Sequence, residues 1–211
     1  SATTQGETLI SVDADGNPLR NAIVWLDGRA DAEAETIRQK WSADDFYAKT
    51  GILDCNGLCP VSKLLWLRDN EPEMYQNTHK VLMVEDYILY KLTGRFVTEK
   101  SLLSTTGYFD IINDELWLEM FESLDLDIRM IPEVLDCGVV VGKILPQVAK
   151  KLKLKDDVRI VTGAMDQVTG AIGAGNTRPG LVSETTGTAL TVALTCVDPD
   201  MSHPLRLTIY R

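Results

Sequence analysis

Asp166 stands where a strand-like run, Val158-Arg159-Ile160-Val161, gives way through Thr162-Gly163 to a helix of small residues. Ligands of α/β proteins collect at the carboxyl ends of strands. A carboxylate placed there can take a proton from a reacting hydroxyl as a general base. It can equally cap the helix, and spacing alone leaves both readings open. Thr185-Thr186-Gly187-Thr188 sets a glycine among hydroxyls in a tight turn. Such a turn lets backbone N–H groups approach a phosphate closely; a plain hairpin turn is the other reading. Gln5-Gly6-Glu7 and Trp25-Leu26-Asp27-Gly28-Arg29 put amide, carboxylate and guanidinium groups at the ends of two strand candidates. That mixture of donors and acceptors suits a polyhydroxylated ligand. For Asp27 and Arg29 a surface ion pair is the plainer alternative. No Gly-Lys-Ser/Thr appears, so Gly187 does not belong to a Walker A loop.

A mixed fold must hold these residues. Leu9 to Val12 reads as a strand, followed by the turn cluster Asp15-Gly16-Asn17-Pro18 and a second strand over Ala22 to Trp25. Residues 30 to 50 read as helical, with Ser42 and Asp45 forming a cap and Gly51 a stop. Pro60 opens an amphipathic helix over 60–70. A short strand follows at Val81 to Val84, then a helix halted by Thr93-Gly94. Residues 100 to 124 read as one or two helices. Val139 to Ile144 is strand-like, and 147–152 a short helix. Residues 181 to 194, rich in Thr and Val, read as a β-hairpin. Strands, a long helical middle and strands again indicate an α/β fold. Gly, Asn, Thr and Pro cluster around Asn176 to Pro179, which places a domain boundary there and divides the chain into 1–176 and 177–211. Strand-like segments at both ends, the second over Leu205 to Arg211, read as cut from something longer.

With 31 acidic against 21 basic residues the net charge is −10, which argues against non-specific nucleic-acid binding. No apolar run is long enough for a membrane span, and no signal peptide opens the chain. A cytoplasmic location is expected. Cys55 and Cys59 lie close, but no further ligands follow at zinc-site spacing, so no metal site and reduced thiols are expected.

The motifs together resemble the FGGY carbohydrate kinases. Trp25-Leu26-Asp27-Gly28-Arg29 is similar to their W-x-D-x-R segment, and Lys63-Leu64-Leu65-Trp66-Leu67 to the core of their signature. Asp86-Tyr87 with Leu92-Thr93-Gly94, Ile131-Pro132-Glu133-Val134, Gly163 to Asp166 and Gly187-Thr188 resemble further family elements in the family's order. The resemblance implies an actin-like, ribonuclease-H-like fold: an N-terminal sugar-binding domain plus the start of the nucleotide-binding domain. It implies transfer of a phosphoryl group from ATP, with Mg2+, to a sugar hydroxyl. Asp166 would be the base; Gln5, Gly6, Glu7, Asp27 and Arg29 would serve the sugar; Gly187 and Thr188 would face the nucleotide phosphates.

The family's opening D-x-G-T hairpin and most of its second domain are absent, so this chain alone is expected to be inactive. Gly6 replaces the arginine of glycerol kinases, and Lys100 falls where they carry tyrosine. Loss of an arginine is expected to open room for a larger substrate, a ketopentose such as xylulose or a longer polyol. A non-catalytic actin-like module that binds nucleotide or sugar is the alternative, since actin-like folds serve several functions. A homodimer is left open.

Overall fold

Strand β1 (Ile10–Val12) pairs antiparallel with β2 (Lys80–Leu82), joining the start of the chain to its middle. This is a computed structural model, and it describes every residue except 188, 189, 204 and 211. The turn after β1 is closed by Asp13, whose carboxylate accepts from the Asp15 and Asn17 backbone N–H groups, each at 2.9 Å. The strand expected over Ala22 to Trp25 shrinks to a single bridge, Leu9 to Ile23. The physical reason is competition for carbonyls. Lys63 takes those of Val24 and Trp25, and the Asp27 N–H donates back to Val24 at 3.0 Å, so the chain turns away.

Residues 30–50 form two helices, α1 (Asp31–Lys40) and α2 (Ala43–Thr50). Ser42 caps α2 by accepting from the Asp45 N–H at 3.1 Å, an interaction worth about 1 kcal/mol. Gly51 ends it at φ +68°. Helix α3 (Pro60–Asn70) begins at its proline as expected; α4 (Pro72–Asn77) follows, and α5 (Val84–Thr93) ends at Gly94. The stretch over 100–124 holds two helices, as expected, with a small hairpin between them. Strand β3 (Val97–Glu99) leads into a single turn, α6 (Lys100–Leu103). The Glu99 carboxylate caps this turn, accepting from Ser101 N–H at 2.6 Å and Leu102 N–H at 2.8 Å. Thr105 and Thr106 hydroxyls then donate back to the Leu102 and Leu103 carbonyls, which stops the helix. A small hairpin, β4 (Phe109–Asp110) with β5 (Glu115–Leu116), precedes α7 (Leu118–Ser123).

Strand β6 (Glu133–Leu135) pairs parallel to β3. Strand β7 (Val140–Lys143), helix α8 (Pro146–Leu152) and strand β8 (Arg159–Val161) form the next unit, with β7 and β8 antiparallel. Helix α9 (Asp166–Gly173) leads to the hairpin of β9 (Val182–Thr186) and β10 (Leu190–Leu194). Asn176 is buried and fastens that hairpin: its amide donates to Ser183 Oγ and the Ala193 carbonyl, each at 3.0 Å. The strand expected at the C-terminal end is not formed. Leu205 and Leu207 are exposed, and one backbone bond, Ile209 N–H to the Gly51 carbonyl at 3.0 Å, lays the segment against the end of α2.

Two apolar cores result. The larger gathers Ile37, Phe46, Leu64, Leu65, Leu102 and Phe121 between α1, α2, α3, α6 and α7. The smaller gathers Leu89, Val97, Val141, Ile144 and Ile160 around α5 and β7.

Between them lie three buried carboxyls, Glu85, Asp86 and Glu99. Glu85 accepts from the Gly163 N–H at 2.7 Å and Asp86 from the Met83 N–H at 2.8 Å, while Glu85 Oε2 and Asp86 Oδ1 make no hydrogen bond of full geometry among the described residues. Burial, with mutual repulsion added, raises Glu85 from 4.5 to about 7 and Asp86 from 3.8 to about 8. Between the ordinary and the raised values the folded state binds more protons than the unfolded chain. Stability is therefore fully present below the ordinary values and is lost as pH rises through the raised ones. The melting temperature should fall from pH 5 to pH 9, and Glu85→Gln should flatten that fall. A melting profile as steep in the variant as in the parent would refute the assignment.

Candidate functional site

The Gln5–Thr8 segment lies just before β1, where the chain cannot yet use a sheet partner. Local bonds hold it instead. The Thr8 N–H donates to the Gly6 carbonyl at 2.8 Å. The buried Thr8 hydroxyl accepts from Gln5 Nε2 at 3.2 Å and from the Trp25 N–H at 3.1 Å, joining both sugar-site candidates. Glu7 adopts φ +65°, a left-handed conformation that costs a non-glycine residue about 1 kcal/mol or more. Its carbonyl accepts from Lys63 Nζ at 3.1 Å. That same ammonium donates to Val24 at 3.0 Å and to Trp25 at 3.2 Å.

The second segment turns through Asp27. Arg29 donates from Nε and Nη2 to the two Asp27 oxygens at 2.9 and 2.6 Å. This paired donation pulls the Asp27 carboxyl down to about 2. Arg29 also lies over the Trp66 ring, 4.8 Å from its centroid, and Arg20 approaches that ring at 5.6 Å. Trp25 itself is half-buried and stands outside the apolar core.

The Gly163–Asp166 turn meets the first segment through backbone. Asp166 N–H donates to the Thr4 carbonyl at 3.0 Å, and the Thr3 hydroxyl donates to the Ala164 carbonyl at 2.7 Å. The approach is close enough to require glycine: a Cβ on Gly163 would lie 1.6 Å from the Ala2 carbonyl oxygen. The helix-cap alternative for Asp166 is not the arrangement found, because Met165 occupies the N-cap position and Asp166 is the first helical residue. The Asp166 carboxylate is exposed, and no hydrogen bond to it is made among the described residues. Its charge adds to burial in raising the neighbouring Glu7 carboxyl, against which Lys63 acts in the opposite direction.

The structure thus brings together Gln5, Gly6, Glu7, Asp27, Arg29 and Asp166. Gly187 is exposed beyond β9, and no hydrogen bond of the described residues links it to that group. Thr188 lies outside the described residues. A Cβ at Gly6 would meet Thr105 Oγ1 at 2.9 Å and Met165 Sδ at 3.6 Å, so the protein packs closely against that side of the glycine. Lys100 is held by Asp114 and, at 2.6 Å, by Asp136. Cys55 and Cys59 are buried free thiols, with Cys55 Sγ 3.3 Å from Ser62 Oγ.

Sequence reasoning missed Tyr210, an exposed residue whose hydroxyl is nonetheless raised by desolvation at its polar end and by the nearby Glu7 and Asp166 carboxylates. Nothing in its local sequence signals that approach. It also read Lys63 and Trp66 as motif letters without a task, although a lysine on the apolar side of a helix was the available signal.

Residues 1–173 match the model of the FGGY family of carbohydrate kinases, N-terminal domain. The chain belongs to that family. A xylulose kinase of Haemophilus influenzae is 32% identical over 204 residues, covering 95% of this chain and 41% of its own. A glycerol kinase of Thermococcus gammatolerans is 34% identical over 190 residues, covering 88% and 37%. A ligand-bound xylulose kinase from Lactobacillus acidophilus superposes with a TM-score of 0.83 at 25% identity, over 95% of this chain and 41% of that one. The fold is the actin-like α/β class of the FGGY kinases. The chain spans about two-fifths of the length of the curated relatives it matches. Among the described residues no helix is long and apolar enough to cross a membrane.

The Gly163 contact yields a prediction. Gly163→Ala must push Ala2–Thr4 away from Asp166, at a cost of about 1–3 kcal/mol. Thermal melting should show the loss, whereas Gly138→Ala, which meets nothing within 4 Å but sits at φ +74°, separates backbone strain from collision. Wild-type stability in Gly163→Ala would show that the close approach does not exist in solution.

Proposed function

We propose that this chain is the sugar-binding part of an ATP-dependent sugar or polyol kinase, with Asp166 as the general base. One observation carries the reading: the backbone bond from Asp166 to Thr4 sets an unpartnered carboxylate beside the Gln5–Glu7 segment. Family membership supplies the reaction class. In this reading Gln5, Glu7, Asp27 and Arg29 orient the hydroxyls of the substrate, with Gly6 between the first two. Asp166 accepts the proton of one hydroxyl as its oxygen bonds to the γ-phosphorus of ATP and ADP leaves. Positioning and charge dominate such a transfer. When bound, Mg-ATP supplies the phosphoryl group and neutralises its charge.

Magnesium commonly travels with the nucleotide phosphates and few protein carboxylates. The free Asp166 carboxylate fits that pattern, and no three acidic, histidine or cysteine side chains of the described residues form a site of their own. Gly187 and Thr188 face the phosphates in this reading, at the start of a second domain after residue 176. The substrate is a ketopentose such as xylulose, or a polyol, by analogy with the xylulose and glycerol kinases among its relatives. The protein acts in the cytoplasm.

ADP release should be measured with Mg-ATP and, in turn, D-xylulose, gluconate, xylitol and glycerol, using the longest natural chain that contains these residues. One substrate should support turnover, and Asp166→Asn should lower kcat by about 100-fold or more. Turnover that survives this substitution would exclude Asp166 as the base. The 211-residue chain by itself should bind the sugar without turnover, since it spans only 41% of the length of a xylulose kinase relative; sugar-dependent ADP release from it would overturn that part.

A further inference from the structure

Lys63 is completely buried, yet it carries a charge that water would normally solvate. Its ammonium has three N–H donors. They reach three backbone carbonyls: Glu7, Val24 and Trp25. These belong to two segments that flank the Leu9–Ile23 bridge, and both are sugar-site candidates. One turn further along α3, Trp66 faces the same region. Its ring lies 4.8 Å from the guanidinium of Arg29, which in turn grips both oxygens of Asp27. Residues three apart on a helix share a face, so one helix supports both segments.

We propose that Lys63 and Trp66 are positioning residues of the sugar site: Lys63 fixes the Glu7 turn to the Val24–Trp25 turn, and Trp66 fixes the Arg29–Asp27 pair. This deepens the kinase reading and rests on it for the identity of the ligand. The Lys63 contact explains how Glu7 keeps a left-handed backbone, since its carbonyl is anchored from below. The ammonium also acts on charge. Burial raises the Glu7 carboxyl and lowers the Lys63 ammonium, and each charge partly restores the other. The groups facing Glu7 are Lys63, Asp166, Tyr210 and Cys59; only Lys63 among them carries positive charge. A filler of apolar core at position 63 would need no amine. An amine that meets three site carbonyls is instead matched to their placement.

Two variants and one wild-type measurement test this in the 211-residue chain. In Lys63→Met, carbon-13 titration of the Glu7 carboxyl should move to higher pH. In Trp66→Leu the Glu7 titration should stay in place, while that of Asp27 should rise from about 2 as Arg29 loosens. Calorimetry with D-xylulose should show binding weakened roughly 10-fold to 100-fold in each. A merely structural role would lower the melting temperature without moving the two titrations selectively. Where Lys63→Met does not fold, nitrogen-15 spectra of the wild-type Lys63 ammonium decide: slow proton exchange supports three fixed carbonyl partners. Fast exchange, or titrations of Glu7 and Asp27 unchanged in the folded variants, overturns the proposal. Wild-type protein that binds no D-xylulose counts against the substrate reading, while the titrations still decide the positioning roles.

Discussion

The Ala2–Thr4 segment lies directly against the Gly163–Asp166 turn, held by the Asp166 N–H to Thr4 carbonyl bond and by the Thr3 hydroxyl. Everything else about the site depends on this contact, because it joins residues as far apart in sequence as Thr3 and Ala164, 161 positions. A hydrogen bond between backbone groups has little tolerance in distance, so the position of Asp166 relative to Glu7 is set by main chain and not by a flexible side chain. Glu85 secures the contact from the far side by accepting from the Gly163 N–H. The same carboxyl then has to remain in an apolar setting, which ties a burial cost in the fold to the geometry of the turn.

Local chemistry in the sequence was readable where it was decided locally. Pro60, Ser42, Gly51 and Gly94 mark helix ends through conformations that neighbours cannot override. The β9–β10 hairpin likewise follows from its own composition. What could not be read was decided by distant partners. The parallel pairing of Val97–Glu99 with Glu133–Leu135 depends on chain brought in from far along the sequence. Ala22–Trp25 has strand-type residues, but a buried lysine claims its carbonyls. The end of α6 depends on threonine hydroxyls that bond back to the helix, a competition that a count of helix formers does not register.

The candidate site shows the same division. Asp166, Glu7, Asp27 and Arg29 were visible because charged groups at strand ends stand out in a sequence. Their supports were not, because Lys63 and Trp66 look like ordinary residues of an amphipathic helix until the carbonyls and guanidinium above them are seen. Gly6 shows the limit in the other direction. A missing side chain suggests space, and only the structure shows that Thr105 and Met165 stand close on the side a Cβ would take.

Helix α9 holds Asp166 at its first residue, and three residues past its end comes Asn176, bonded to both strands of the hairpin. Eight helical residues make a rod about 12 Å long that bends little. The hairpin and the carboxylate are therefore the two arms of one lever. A tilt of β9 and β10 by any cause would be delivered along α9 to the backbone bond between Asp166 and Thr4. The seating of the hairpin therefore loads a main-chain contact of the site, not a flexible side chain.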